Sequence, residues 1–202
     1  MISANRVTHC ANGIEVWGMN GVVSGNLIAN NSGIGLRINN NSEITSNTFT
    51  GNNGSAIVLV YSTEMSVHDN NFEFNSGTYD IENLVPISNL PQVSANGNWW
   101  GTTDASEINQ RIFDINDEYN YGQVVYEPVL TGASPVAPAY VRSVTLDPAS
   151  PVGIQTVNYT VEYSRSMDVD NDPEISFRST LHNTWTVYNT DNSGLPNLLI
   201  FA

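Results

Sequence analysis

The side chains in this chain that could do chemistry are few and fall into small groups. Glu15, Trp17 and Arg37 bring together a carboxylate, an indole and a guanidinium. The indole could stack on a sugar or a cation, and the guanidinium could hold an acid group in a bidentate pair. Arg37 could instead abstract a proton, as a base beside a calcium site built of several carboxylates. Glu15 and Glu82 are candidates for glycoside hydrolysis, which needs two carboxyls about 5 to 9.5 Å apart. Asp168, Asp170 and Asp172 alternate in a short acidic run that superficially suggests calcium. A calcium-binding EF-hand loop requires Gly at its sixth position and Glu at its twelfth, where this chain has Pro173 and Ser179. That run reads as a solvated loop between strands. His9, Cys10 and Met19 could attract copper, but no repeated His/Met spacing supports them, and Cys10 reads more simply as a small buried thiol. His68 beside Asp69 lacks a Ser or Cys nucleophile in any recognisable motif.

What must position these residues is a repeat. An aliphatic residue followed three places later by asparagine recurs at Ile2/Asn5, Val23/Asn26, Ile44/Asn47, Val67/Asn70 and Val93/Asn96. A further apolar residue follows at Val7, Ile28, Phe49 and Phe72. A small residue before an alternating apolar pair keeps step with it: Gly13-Ile14-Glu15-Val16, Gly33-Ile34-Gly35-Leu36 and Ala56-Ile57-Val58-Leu59. Period-two alternation is the strand signature, and Asn, Gly and Ser mark the turns between strands. The unit is too short for a helical hairpin repeat, which needs at least about 33 residues, and too poor in leucine for a leucine-rich repeat. Short strands and turns in such units describe the coils of a parallel β-helix, each bonded to its neighbours at about 4.8 Å. In that stack the registered asparagines should sit in left-handed turns and pass amide hydrogen bonds from coil to coil. Phe49 and Phe72 should stack in the core.

The same alignment places Glu15 and Trp17, Gly35 and Arg37, Val58 and Val60, then Glu82 and Leu84 on one outward face. Glu15 and Glu82 are then three coils apart, roughly 14 Å at the strand spacing, which is too far for the hydrolytic pair. The face also lacks a carboxylate cluster for calcium.

The repeats resemble the right-handed parallel β-helix superfamily, which includes pectate-lyase-like enzymes and NosD-like copper-maturation proteins. Gly97-Asn98-Trp99-Trp100-Gly101-Thr102-Thr103-Asp104 resembles the ending common where such helices close in secreted proteins, and the likeness runs on through Glu107–Asp114 and Val124–Leu130. The resemblance implies an architecture and leaves the activity open, because the superfamily hosts lyases, hydrolases, adhesins and inert stalks. The closing segment 97–130 also makes physical sense as a cap over an otherwise open strand edge. Asp104 with Glu107 three residues on suggests a capping box. Ile108, Ile112 and Ile115 suggest one face of a short helix, and Glu107 with Arg111 an i,i+4 pair. Trp99 and Trp100 should cover the last coil.

Composition narrows the partners. Six Lys+Arg against twenty Asp+Glu give a net charge of -14, and all six cations are arginine. Nucleic acid would be repelled. No apolar run reaches the length of a membrane span, so membrane insertion is not expected. Cys10 is the one cysteine, so no internal disulfide forms. The sequons at Asn30, Asn40, Asn53 and Asn158 are expected by chance in so asparagine-rich a chain. The first repeat starts at Ile2 in mid-coil with neither a leader nor a polar cap. The chain is therefore expected to continue into earlier coils of a longer exported parent.

Residues 133–139 are rich in Pro and Ala and read as a stiff linker. Beyond them Val157, Tyr159, Val161 and Tyr163 alternate with polar residues, with Val141–Leu146 before and Glu174–Phe177 after. Trp185, Val187 and Tyr188 suggest a fourth strand. Tyr159 to Phe177, with Ser164-Arg165-Ser166-Met167-Asp168, resembles bacterial surface Ig-like repeats, though the segment 140–202 is shorter than the roughly 100 residues of such a domain. The resemblance implies further Ig-like repeats downstream.

The expectation is thus an all-β chain: a right-handed single-stranded parallel β-helix over 1–132, a linker, and a partial Ig-like β-sandwich over 140–202. Its expected role is a non-catalytic spacer and polysaccharide platform, extracellular or on the cell surface, with a periplasmic setting as the alternative. Ligand contacts would come from Trp17, Arg37 and Glu15. No cofactor is expected, with calcium at Asp168, Asp170 and Asp172 the metal alternative kept. The competing expectation is a piece of a polysaccharide lyase or hydrolase whose catalytic coils lie upstream.

Overall fold

A computed structural model describes residues 1–18, 20–39, 41–90, 92–147 and 158–167. The chain divides into two units, Met1–Pro138 and Ala139–Ala202.

The first unit is a solenoid with three parallel sheets. Sheet 1 stacks Ile2–Ser3, Gly21–Ser24, Ser42–Thr45, Met65–His68, Gln92–Ser94 and Gln123–Val125. Sheet 2 stacks Arg6–Thr8, Leu27–Ala29, Thr48–Thr50 and Asn71–Glu73, and Asn71 adds a bridge to Trp99. Sheet 3 stacks Ile14–Val16, Leu36–Ile38, Ile57–Leu59, Ile81–Asn83 and Ile112–Phe113. Each coil visits the three sheets in turn, so every strand pairs with its counterpart one coil away. Val23, for example, lies beside Ile2 and Ile44, and Ile28 lies beside Val7 and Phe49.

Alternation sends Val23, Ile44 and Val67 from sheet 1, Ile28, Phe49 and Phe72 from sheet 2, and Leu36, Ile38, Ile57, Leu59 and Ile81 from sheet 3 into one core. Each such side chain contributes about 1.5 to 3 kcal/mol by leaving water. Phe49 stacks on Phe72 with ring centroids 5.4 Å apart, and Phe72 stacks on Trp100 at 4.8 Å, so an aromatic column runs into the closing segment. Tyr126 meets Trp100 edge-on at 6.1 Å.

Asparagine columns hold two of the three corners. Between sheets 1 and 2 the column is Asn5, Asn26, Asn47, Asn70 and Asn98. The backbone N–H and Nδ2 of each asparagine both donate to Oδ1 of the next, at 2.9 to 3.0 Å. The fifth member is Asn98 and not Asn96. Ser66 pairs with Ser94, so the counterpart of Val67 is Ala95, and Ala95 precedes Asn98 by the same three residues. Val93 still points inward because a slip of two preserves the strand's alternation. Between sheets 2 and 3 runs a second column, Asn31, Asn52 and Asn75, headed by the Cys10 N–H. It ends where Asn75 Nδ2 donates to Asp80, which is paired with Arg111 at 3.1 Å. Burial pushes the Asp80 carboxyl above its ordinary value, and hydrogen bonds and charge from Arg111, with Asn75, pull back against it.

The left-handed turn residue is not the column asparagine but the residue before it. Ala4, Gly25, Ser46, Asp69 and Gly97 precede one column, and His9, Asn30, Gly51 and Phe74 precede the other, all at φ between 53° and 68°. One such residue swings the chain from one sheet to the next and delivers the following side chain inward. Glycine at Gly25 and Gly51 makes this bend without strain, whereas Phe74 carries a side chain that resists it.

The cap departs from the sequence reading. Asp104 does cap a helix, accepting from the N–H groups of Ser106 and Glu107, but the helix covers only Ala105–Gln110. Ile112 leaves it to pair with Ile81 in sheet 3. Arg111 is drawn to buried Asp80 and to the carbonyls of Asn75 and Gly77, away from Glu107. A buried carboxylate outcompetes an exposed one for the guanidinium.

The segment expected as a linker lies against the outer face of sheet 2 as far as Pro138. Ser134 N–H donates to Asn71 Oδ1 at 2.6 Å, Thr48 Oγ1 donates to the Pro138 carbonyl at 2.7 Å, and Leu130 N–H donates to the Asn98 carbonyl. Ser134 and Ala137 are fully buried. Sheet 2 supplies polar side chains that hydrogen-bond to backbone groups of the Pro/Ala segment, which turns at Pro135 and Val136.

In the second unit, Val141–Asp147 and Asn158–Tyr163 form an antiparallel ribbon in which Val144 pairs with Val161. The further strands expected near Ile175 and Trp185 lie outside the described residues, and with them the sandwich.

Candidate functional site

The outer face of sheet 3 gathers the three residues that the repeat alignment placed there. Glu15 pairs laterally with Arg37, Arg37 with Val58, and Val58 with Glu82. Trp17 follows the first of these strands and leaves 59% of its surface open. The Arg37 guanidinium carbon lies 5.9 Å from the centre of the Trp17 ring, within cation–π range. Trp17 Nε1 donates to Glu15 Oε2 and Asn12 Nδ2 to Glu15 Oε1, each at 3.4 Å, so one carboxylate steadies the indole and is itself held from the preceding turn. Asn12 was not foreseen; its spacing three residues before Glu15 was the available signal.

Arg37 has an incomplete set of partners. Its Nε is buried with no hydrogen bond, and among the described residues it forms no salt bridge. In a chain with net charge -14 this leaves a cation facing outward with no carboxylate partner among the described residues.

Farther along the same face the chemistry thins. Val58, expected to be exposed, is buried to within 2%. Glu82 accepts a hydrogen bond from Ser55 Oγ at 2.8 Å, three coils from Glu15. Arg37 and Val58 stand between the two glutamates, so the structure does not bring them together.

His68 lies on the outer face of sheet 1. Thr45 Oγ1 approaches its Nδ1 at 3.3 Å, but the same nitrogen faces Asp69 Oδ2 at 2.9 Å while Nε2 faces Glu43 Oε1 at 3.0 Å. In the imidazolium form both nitrogens donate to carboxylates, so neither takes a proton from a hydroxyl. Glu43 was not foreseen as a partner because it stands one coil away.

His9 and Cys10 are both exposed, so Cys10 is not the buried thiol expected, and its Sγ reaches the Thr8 carbonyl at 3.5 Å. Met19 and the aspartates Asp168, Asp170 and Asp172 lie outside the described residues. Among the described residues, no three His, Cys, Asp or Glu side chains gather as a metal site, and no helix is long and apolar enough to cross a membrane.

No curated protein and no solved structure matches the chain. Residues 1–99 match the family model described as the right-handed β-helix region, and with the coil-by-coil pairing this makes the first part of the chain a right-handed parallel β-helix.

Proposed function

We propose that this β-helix is a non-catalytic module of an exported or cell-surface protein, a rigid spacer that also offers a platform for an acidic polysaccharide. The observation that carries the reading is the outward guanidinium of Arg37, which has no carboxylate partner among the described residues, beside the open ring of Trp17. An indole presents an apolar surface to the C–H face of a pyranose, and a guanidinium holds a carboxylate in a bidentate pair. A uronic acid supplies both groups on one ring. Glu15 accepts from the indole N–H at 3.4 Å, a contact that biases the ring toward the Arg37 side. The chain's net negative charge opposes a polyanion at long range, but that field is screened beyond about 8 Å at physiological salt. The spacer role rests on stacked coils whose backbone and amide hydrogen bonds resist bending.

A glycan array that includes uronate-containing polysaccharides tests the reading. Binding by the wild-type chain should fall about tenfold or more in Trp17→Ala and in Arg37→Ala, one good charged contact being worth about 1.5 to 3 kcal/mol. Undiminished binding in both variants would remove this face from consideration.

A further inference from the structure

The side-chain cluster around His68 supports a second inference, independent of the Trp17–Arg37 face. Strand Met65–His68 ends at the corner where Asp69 takes the left-handed conformation, at φ 57°. His68 Nδ1 stands 2.9 Å from Asp69 Oδ2, and Nε2 stands 3.0 Å from Glu43 Oε1 on the neighbouring strand Ser42–Thr45. A neutral imidazole carries one N–H and cannot donate to two carboxylates at once; an imidazolium can. Thr45 Oγ1, at 3.3 Å from Nδ1, is the one neighbour able to donate to that nitrogen once it has lost its proton.

We propose that His68 is a proton-operated clasp between adjacent coils: its imidazolium ties Glu43 to Asp69, and loss of the proton passes Nδ1 to the Thr45 hydroxyl and releases Asp69. Every charged neighbour favours the protonated form. On the strand's other side, Gln92–Ser94 brings no titratable side chain, and Glu64 lies at the far end of the strand that carries His68. Burial on its own lowers the affinity of His68 for its proton, but hydrogen bonds and charge from Asp69 and Glu43 outweigh it, so the ring titrates above its ordinary 6.5. Glu43 also lines an open groove with Asn20, Val22, Asn41, Glu64 and Ser66, so the proton on His68 offsets one of that groove's two carboxylates.

The sign follows from the raised value. The clasp stabilises the fold fully below pH 6.5 and is lost as pH rises through the higher folded value. An NMR titration of the His68 ring in the full chain, in wild type, E43Q and D69N, reads this directly. The wild-type midpoint should lie above 6.5, and each substitution should lower it. A wild-type midpoint at or below that value, or one left unmoved by either substitution, overturns the two-carboxylate clasp. As a second readout, wild type should melt above H68Q in mild acid, and the gap should close above the His68 midpoint; a gap independent of pH also overturns the proposal.

Discussion

The outer faces of sheets 2 and 3 are built by the same coils and have opposite fates. On sheet 2, Arg6 of the first coil is exposed and Thr8 partly so, but from the second coil on the outward residues Leu27, Ala29, Thr48, Thr50, Asn71 and Glu73 are all buried, and chain from Leu130 to Pro138 bonds to that face and its flank. On sheet 3 the face stays open at its first two coils, where Glu15, Trp17 and Arg37 meet. Repetition supplies equal faces, and single side chains decide which is closed. Thr48 and Asn71 offer hydrogen-bonding groups to a passing backbone, whereas Arg37 and Trp17 offer charge and an open ring. A face that the chain itself satisfies has little left for a ligand.

Substitutions can break or sharpen that contrast. The largest effect is expected at the corner between sheets 1 and 2, at Asn47. Asn47→Ala removes the acceptor of the Asn26 amides and the donor to the Val23 and Thr45 carbonyls. With several buried groups left unsatisfied, urea unfolding should show a loss of about 3 to 5 kcal/mol. Next comes the closed face. Asn71→Leu leaves the Ser134 N–H buried without its acceptor, which should cost about 2 kcal/mol and speed proteolytic cleavage within 131–138. At the corner between sheets 2 and 3, Phe74→Gly should raise stability by about 1 kcal/mol by relieving the left-handed strain. On the open face, Trp17→Ala and Arg37→Ala should change stability by no more than about 0.5 kcal/mol while weakening glycan binding. Equal stability losses at Asn71 and Arg37 would erase the distinction between the faces.

Much of this architecture was legible in the residues, and the gaps have physical causes. The registered pairs from Ile2/Asn5 to Val67/Asn70 announced the first column, and Trp17 and Arg37 fell on one face once the coils were aligned. The fifth rung was misplaced because alanine stands at position 95, where earlier coils carry an aliphatic marker, and nearby Val93 imitates it. The second column was hidden among adjacent asparagines. Asn30 and Asn31 both suit a turn, and only the fold reveals that the first bends and the second bonds. Helical periodicity at Ile108 and Ile112 was real, yet sheet pairing claimed Ile112, since an open strand edge costs more than one helical turn returns. The covering of sheet 2 could not be read at all, because a Pro/Ala segment has the same composition whether free or bound.

The amide columns give the stack a direction. Asn26, Asn47 and Asn70 each accept at Oδ1 from the earlier coil and donate the backbone N–H and Nδ2 to Oδ1 on the later one, so the carbonyls of the column point one way along the axis, while Nδ2 also donates back to an earlier backbone carbonyl. The second column delivers its donor end to Asp80, an anion placed at the positive terminus and balanced by Arg111. A 21-residue cassette such as 23–43, duplicated within the stack, would meet matching amides on both sides and lengthen the rod by about 4.8 Å with neither end rebuilt. Such a protein can be resized from its middle.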